Sequence, residues 1–226
     1  MKRENKKKLP ISGLKLYGHS STQSGKRFNK SLVKMKYYDT WDNKFKKINR
    51  EIIFKNIIDK VLNIDTELAK IRKQNNWRPT IGIGNYQANI MFIGDLASQY
   101  DVISGIPFCG EGGKILDECL KSIDLHRKEV YLTNIIKDYL KKDITLKEIN
   151  LYLDIIKDEI DIINPKIIVG FGNLSKAWLK RLFKIEIAED RFTLVDGKKL
   201  IFMQSPVSVV YKDKFKQILL NDFKKI

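Results

Sequence analysis

Short apolar runs alternate with helical segments along most of the chain. The predicted strands cover residues 89–94, 129–136 and 165–172, and the predicted helices between and after them cover residues 113–123, 145–164 and 173–183. Alternation of this kind predicts an α/β fold in which helices cover a mostly parallel sheet. Ligands of such folds bind at the carboxyl ends of the strands, so functional residues are expected there.

The remaining elements have weaker patterns. Apolar residues recur at helical spacing through 51–74, which predicts one long amphipathic helix. Residues 191–204 predict a hairpin that turns at Asp196-Gly197, and residues 212–226 predict a closing helix. Thr145 and Glu148 have the spacing of a capping box, and Asn173 is a candidate N-cap.

Positive charge is concentrated at the start of the chain. The protein has a formal net charge of +16, and residues 1–50 hold fifteen Lys or Arg against three acidic residues. We therefore expect a basic, partly ordered arm over 1–50 and an α/β domain over 51–226. A basic block favours a polyanion such as DNA, with Lys26 and Arg27 as candidate contacts. A solvated tail without a partner is the alternative.

Composition excludes several classes of protein. No apolar run approaches the roughly 18 residues of a membrane span, and we expect neither a secretory signal nor a membrane partner. The chain has two cysteines and two histidines, too few for a disulfide framework or a site with four thiolates. We expect a cytoplasmic protein without metal or cofactor.

The segment SGIPFCGEGGKILD at 104–117 suggests a binding site for a flat ring. Pro107 restricts the backbone before Phe108, which predicts a stacking platform, and the glycines allow close approach to a ligand. Asn134 ends a predicted strand, and its amide offers both a donor and an acceptor. The structural alternatives are a core phenylalanine and an asparagine that caps a strand.

Four segments in order resemble motifs of the uracil-DNA glycosylase superfamily, and its family 4 is the most similar branch. They are GDLAS at 94–98, GIPFCGEGGKILD at 105–117, VYLTNIIK at 130–137 and PKIIVGFG at 165–172. The resemblance covers residues 79–226. It implies a three-layer α/β/α sandwich with a central, mostly parallel four-stranded sheet.

The resemblance also implies roles for residues in the pocket. Phe108 would stack on a base that is flipped out of DNA, and Asn134 would pair with the N3 and O4 edge of uracil or, turned over, with cytosine. Leu96 and Ser98 would line the base pocket. Asp95 and Asp101 are both candidates for the carboxylate that serves the sugar and the attacking water, and we leave that choice open.

Three positions depart from the family pattern. The family's His-Pro-Ser motif is missing, and either Ser205 or Met203 takes the position of its histidine. Pro206, Val207 and Ser208 then correspond to the segment that leads into the DNA wedge. Asp138 stands where family 4 has a cysteine ligand of its iron–sulfur cluster, so no cluster is expected. Ser98 is small where family 1 has a tyrosine that blocks C5 substituents.

We therefore predict a monomeric, monofunctional DNA glycosylase with Asp95, Asp101 and Ser205 as catalytic candidates. It would excise uracil or a modified pyrimidine, such as a hypermodified cytosine of phage DNA, and leave an abasic site. The setting would be base-excision repair or antiphage defence, with Lys137 among the DNA contacts. The alternative is a DNA-binding protein that keeps the fold but has lost the chemistry.

Overall fold

The computed structural model describes residues 44–139, 143–185, 192–211 and 214–226, with side chains from residue 54 onward. The chain divides into two units, Met1–Lys44 and Phe45–Ile226, and the description below concerns the second. In the described part of the chain, no helix is long and apolar enough to cross a membrane.

A six-stranded sheet forms the centre of the fold. Its strands are β1 (Ile83–Gly84), β2 (Ile90–Ala97), β3 (Tyr131–Tyr139), β4 (Ile167–Phe171), β5 (Phe192–Val195) and β6 (Lys198–Met203). Their order is β1-β3-β2-β4-β6-β5. The four inner strands are parallel, as predicted, while β1 and β5 pair antiparallel at the two edges. The predicted sheet of four strands is therefore the parallel core of a wider one.

Eight helices are described around the sheet. They are α1 (Lys44–Asn63), α2 (Glu67–Gln74), α3 (Gln99–Ser104), α4 (Glu111–Lys121), α5 (Leu146–Ile163), α6 (Gly172–Phe183), α7 (Pro206–Tyr211) and α8 (Lys214–Phe223). The prediction of one helix over 51–74 is wrong. Thr66 begins a second helix, because its side chain accepts a hydrogen bond from the Ala69 N–H at 3.0 Å.

Alternate residues of the central strands bury into two separate cores. On β2, Met91 and Ile93 join a core with α1, α2, α5 and α6, whereas Phe92 joins a core with α4, α7 and α8. This alternation follows from the two-residue period of a strand. The helices therefore cover both faces, and the fold is the predicted three-layer α/β/α sandwich.

Two of the three predicted local signals are confirmed. Thr145 and Glu148 form the capping box of α5, and the hairpin between β5 and β6 turns at residues 196 and 197, both with positive φ. Asn173, by contrast, is not an N-cap, because α6 begins one residue earlier and lacks a side-chain cap of its own. Asp95, on β2, supplies the missing acceptor, as described below.

Candidate active site

Two neighbouring strands, β2 and β3, bring an aromatic ring and an amide together. The prediction that Asn134 ends its strand is wrong, because β3 continues to Tyr139. Gly94 of β2 pairs in register with Asn134 of β3. A Cβ added to Gly94 would lie 2.3 Å from Asn134 Oδ1 and 2.7 Å from Phe108 Cζ. Only a glycine leaves room for both groups, so the sequence prediction that Phe108 and Asn134 lie close together agrees with this geometry.

The Asn134 amide is buried without a protein partner. Its side chain is 2% exposed, and among the described residues nothing accepts a hydrogen bond from its Nδ2 group. A buried donor without a partner costs roughly 1–3 kcal/mol, and native structures rarely tolerate one without a reason. A ligand acceptor that enters over Gly94 would satisfy this donor.

The loop that carries Phe108 is held from several directions. Phe108 has a left-handed backbone (φ 55°), and its ring packs edge-on against Phe171 at 6.0 Å between centroids. Arg127 Nη2 donates to the carbonyls of Phe108 at 2.7 Å and Gly113 at 3.0 Å, while its Nε donates to Asp117. Arg127 thus fixes the loop that carries Phe108, a contact that sequence reasoning missed.

Asp101 joins the start of α3 to the same loop. Its Oδ2 accepts from the Ser98 N–H at 2.9 Å, its Oδ1 accepts from the Cys109 N–H at 2.9 Å, and its own N–H donates to Ser98 Oγ. The carboxylate is buried, and both oxygens are engaged by backbone groups. Asp101 and Ser98 therefore position the loop after Pro107 relative to the end of β2.

Asp95 follows Gly94 but faces the opposite layer. Its Oδ1 accepts from the Ser175 N–H at 2.6 Å, and its Oδ2 would lie 2.3 Å from a Cβ at Gly172, whose φ of +90° already favours glycine. Burial raises the pKa of Asp95, and the N–H groups at the start of α6 oppose that rise. In this structure the carboxylate is directed at α6 rather than at Phe108 and Asn134.

The segment after β6 lies beside the start of α4. Ser205 lies directly before α7, and its Oγ accepts from the Val207 N–H at 3.3 Å. Pro206 is buried, Ser208 is partly exposed, and exposed Val207 contacts the start of α4, since a Cβ on Gly112 would lie 2.7 Å from its Cγ2. Met203 lies in the second core, whereas Leu96 of β2 is partly buried and packs against the first.

Lys137 requires a correction, because the prediction that it contacts DNA is wrong. Its side chain is 0% exposed, and its Nζ donates to Glu159 at 2.7 Å and to Thr133. Burial lowers the pKa of Lys137, although Glu159 favours its charged form. The pair joins β3 to α5 inside the first core. Lys26 and Arg27, the other predicted DNA contacts, lie outside the described residues.

The residues present do not fit an iron–sulfur cluster. Burial raises the pKa of the Cys109 thiol to about 12 and that of Cys119 to about 11, whereas a cluster needs thiolates. No group of three or more Cys, His, Asp or Glu side chains within the described ranges is placed to hold a metal.

Asp138, at the position of the missing cysteine, instead belongs to a buried polar network. Arg72 Nη1 donates to its Oδ1 at 2.8 Å, and the Tyr152 hydroxyl donates to its Oδ2 at 2.5 Å. Tyr152 in turn lies 3.0 Å from the Thr66 hydroxyl. We call Thr66, Arg72, Asp138 and Tyr152 the polar network; it connects α2, β3 and α5.

The fold and site define an α/β protein in which an aromatic ring and an amide meet beside Gly94, where two parallel strands pair. The sequence model of the uracil DNA glycosylase superfamily matches residues 81–224, and the chain belongs to this family. It is 31% identical over 168 residues to a Type-4 uracil-DNA glycosylase of Archaeoglobus fulgidus, which covers 69% of this chain and 82% of that relative.

Other relatives are similar over the same part of the chain. A Type-4 uracil-DNA glycosylase of Sulfurisphaera tokodaii is 29% identical over 187 residues, which is 75% of this chain and 84% of the relative. A DNA polymerase of Bacillus phage SP01 is 28% identical over 153 residues, which is 66% of this chain but 17% of the polymerase.

Proposed function

We propose that this protein is a DNA glycosylase that extrudes a pyrimidine nucleotide and hydrolyses its N-glycosidic bond, leaving an abasic site. The observation that carries the proposal is the buried Asn134 amide, which faces Phe108 across Gly94 and has no acceptor for its Nδ2 group among the described residues. A base inside a duplex cannot reach a buried amide, so the nucleotide must leave the stack first. Relatives named Type-4 uracil-DNA glycosylases support uracil as a substrate.

Recognition of the base follows from the geometry of two side chains. Phe108 stacks on the extruded ring, while Asn134 donates through Nδ2 to O4 of uracil and accepts from N3–H through Oδ1. The same Nδ2 group can donate to N3 of cytosine, because the amide can be turned over within the pocket. In this proposal the pocket is lined by Leu96, near the end of β2, and by Ser98, which follows β2 as the N-cap of α3.

Cleavage of the glycosidic bond develops positive charge on the sugar and negative charge on O2 of the base. Water adds its oxygen to C1′ of the sugar and loses a proton, while the bonding electron pair leaves with the base, which then gains a proton. Asp95 supports the positive sugar after its carboxylate turns from α6 toward the bound nucleotide, and the hydroxyl of Ser205 with the backbone amides of 95–97 supports O2. Asp101 acts indirectly, as the residue that positions the Phe108 loop.

The basic start of the chain supplies phosphate contacts in this proposal. Residues 1–43 hold eleven Lys or Arg, including Lys26 and Arg27, against three acidic residues. Each phosphate that they neutralise adds about 0.9 to the salt slope of DNA binding. Removal of residues 1–43 leaves the whole of α1 in place and should flatten that slope; an unchanged slope would contradict the assignment.

The substrate can carry a substituent at C5 of the pyrimidine. Ser98 is small, and its hydroxyl accepts from the Asp101 N–H within α3, so it adds no bulk at the end of β2. This supports modified pyrimidines, including hypermodified cytosines of phage DNA, beside uracil. Excision of uracil would serve base-excision repair, and excision of phage bases would serve antiphage defence.

Defined duplexes test the proposal directly. Strands with a single uracil, hydroxymethylcytosine or glucosylated hydroxymethylcytosine are incubated with the protein and then cleaved by alkali at abasic sites. We expect cleavage of at least one strand, and Asn134→Ala and Phe108→Ala should reduce it far more than they reduce DNA binding. Equal losses of binding and cleavage would show that these two residues are structural.

A DNA-binding protein without catalysis is the second candidate. Asp101 already has backbone donors on both of its oxygens, Asp95 is directed at α6, and a serine replaces the family's histidine. Loss of one oxyanion donor raises a barrier by about 3 kcal/mol. Tight binding to every duplex without any abasic product would establish this candidate instead.

A further inference from the structure

Two short helices next to the Phe108 loop expose apolar side chains. On α3 these are Tyr100 and Ile103, and on α7 they are Val207, Val210 and Tyr211. Ile103 comes three positions after Tyr100, and Val210 and Tyr211 come three and four positions after Val207, so each helix presents one apolar face. Single exposed apolar residues are ordinary, but two such faces beside one loop mark an interaction surface.

Both faces contact the first turn of α4, which follows the Phe108 loop. The Tyr100 ring lies against Gly110, whose added Cβ would be 3.2 Å from Tyr100 Cδ2. Val207 lies against Gly112, as described above. These two glycines come two and four residues after Phe108, so Tyr100 and Val207 lie beside the segment that carries Phe108.

Tyr100 is held at a fixed place relative to Phe108. It immediately precedes Asp101, whose carboxylate binds the N–H of Cys109. Ser104 at the end of α3 contacts Cys109 Sγ at 3.1 Å, which ties the helix to the loop at a second point. The ring itself is 63% exposed, so a rigid backbone presents an accessible aromatic face.

We propose that Tyr100 stacks on a base that the extruded nucleotide leaves uncovered in the DNA. The inference rests on the proposed function, because it takes the extruded base to occupy the Phe108 site. Extrusion exposes the faces of neighbouring bases, and aromatic side chains stabilise such faces without regard to sequence. Residues 206–208 lead into the wedge that the family resemblance predicts, and Tyr100 adds a second contact from α3.

The test compares Tyr100→Ala with Tyr100→Phe, because stacking needs the ring and not the hydroxyl. Leu194→Ala is the matched control. Leu194 is 72% exposed on the edge strand β5, and strands β4 and β6 separate β5 from β2, which leads into α3. Excision is measured in single turnovers. Tyr100→Ala should slow it by about 5- to 150-fold, the equivalent of one stacked base, while Tyr100→Phe and Leu194→Ala leave it unchanged.

A fluorescence arm makes the test independent of catalysis. Duplexes carry 2-aminopurine on either side of the target nucleotide or opposite to it, and stacking on Tyr100 should quench one of these probes. Tyr100→Ala should relieve this quenching, whereas Tyr100→Phe should quench the probe as the wild-type protein does. If the wild-type protein quenches but makes no abasic site, the proposed function fails and this inference stands. If Tyr100→Ala matches Leu194→Ala in both rate and fluorescence, the inference is overturned.

Discussion

Replacement of Gly94 by alanine should remove activity without removing the fold. The added Cβ would lie 2.3 Å from Asn134 Oδ1 and 2.7 Å from Phe108 Cζ. Ordinary van der Waals contact then requires the amide to retreat by about 1 Å. A misplacement of about 1 Å in a reacting complex slows catalysis by about 100-fold, and that is the loss we expect. The backbone of Gly94 lies outside the left-handed region, so alanine brings no backbone strain.

Gly170→Ala provides the matched control. Gly170 lies on the neighbouring strand β4, and its added Cβ would meet Phe202 at 2.9 Å and Leu179 at 3.1 Å, away from Asn134. Both variants should lose about 1–3 kcal/mol of unfolding free energy through overpacking, but only Gly94→Ala should slow excision in single turnovers. Equal rates for the two variants, with both proteins folded, would refute the assignment of the pocket.

Three further outcomes follow from the described contacts. Lys137→Met should lower the free energy of unfolding by about 3–5 kcal/mol, because it leaves the Glu159 carboxylate buried and unpaired. In chemical denaturation, the double variant that adds Glu159→Leu should recover most of this loss. A further, additive loss in the double variant would contradict the pairing. Arg127→Lys should slow excision about tenfold with unchanged DNA affinity, because lysine lacks the planar fork by which Arg127 binds two carbonyls and a carboxylate. An unchanged rate would show that the Phe108 loop keeps its conformation without Arg127. The pKa of Asp95 is raised above its ordinary value of 3.8, so its contribution to stability is present below that value and is lost as pH rises through the folded-state pKa. Asp95→Asn should therefore gain unfolding free energy relative to the wild type from about pH 4 to pH 7, and a constant difference between the two would contradict the raised pKa.

The parallel core could be predicted because its strands are continuous apolar runs. The two edge strands and the short helices carry less signal: β1 has two residues, and α3 and α7 have six each. The sequence pattern does not reveal the break between α1 and α2, because Ile64 and Leu68 keep helical spacing across it and are buried in the same core. Only the cap at Thr66 shows where one helix ends and the next begins.

Within the site, the Phe108 loop has a local signature, a proline before an aromatic residue, whereas Asn134 does not end its strand as the sequence suggested, because β3 continues to Tyr139. The positions of charged side chains could not be predicted, because their surroundings come from distant parts of the chain. Lys137 is neutralised by Glu159, and the carbonyl of Phe108 is held by Arg127. A sequence pattern shows that a lysine is present but not that its partner is buried beside it.

The polar network constrains which substitutions positions 72 and 138 can accept. Arg72 and Asp138 are 3% and 0% exposed, so loss of either one leaves the other charged and buried. Removing one partner of such a pair destabilises a protein by about 3–5 kcal/mol, a large share of the stability of a typical domain. A single Asp138→Cys substitution would leave the Arg72 guanidinium without its carboxylate partner. Exchange of Asp138 for a cysteine is therefore expected to need a compensating change at Arg72.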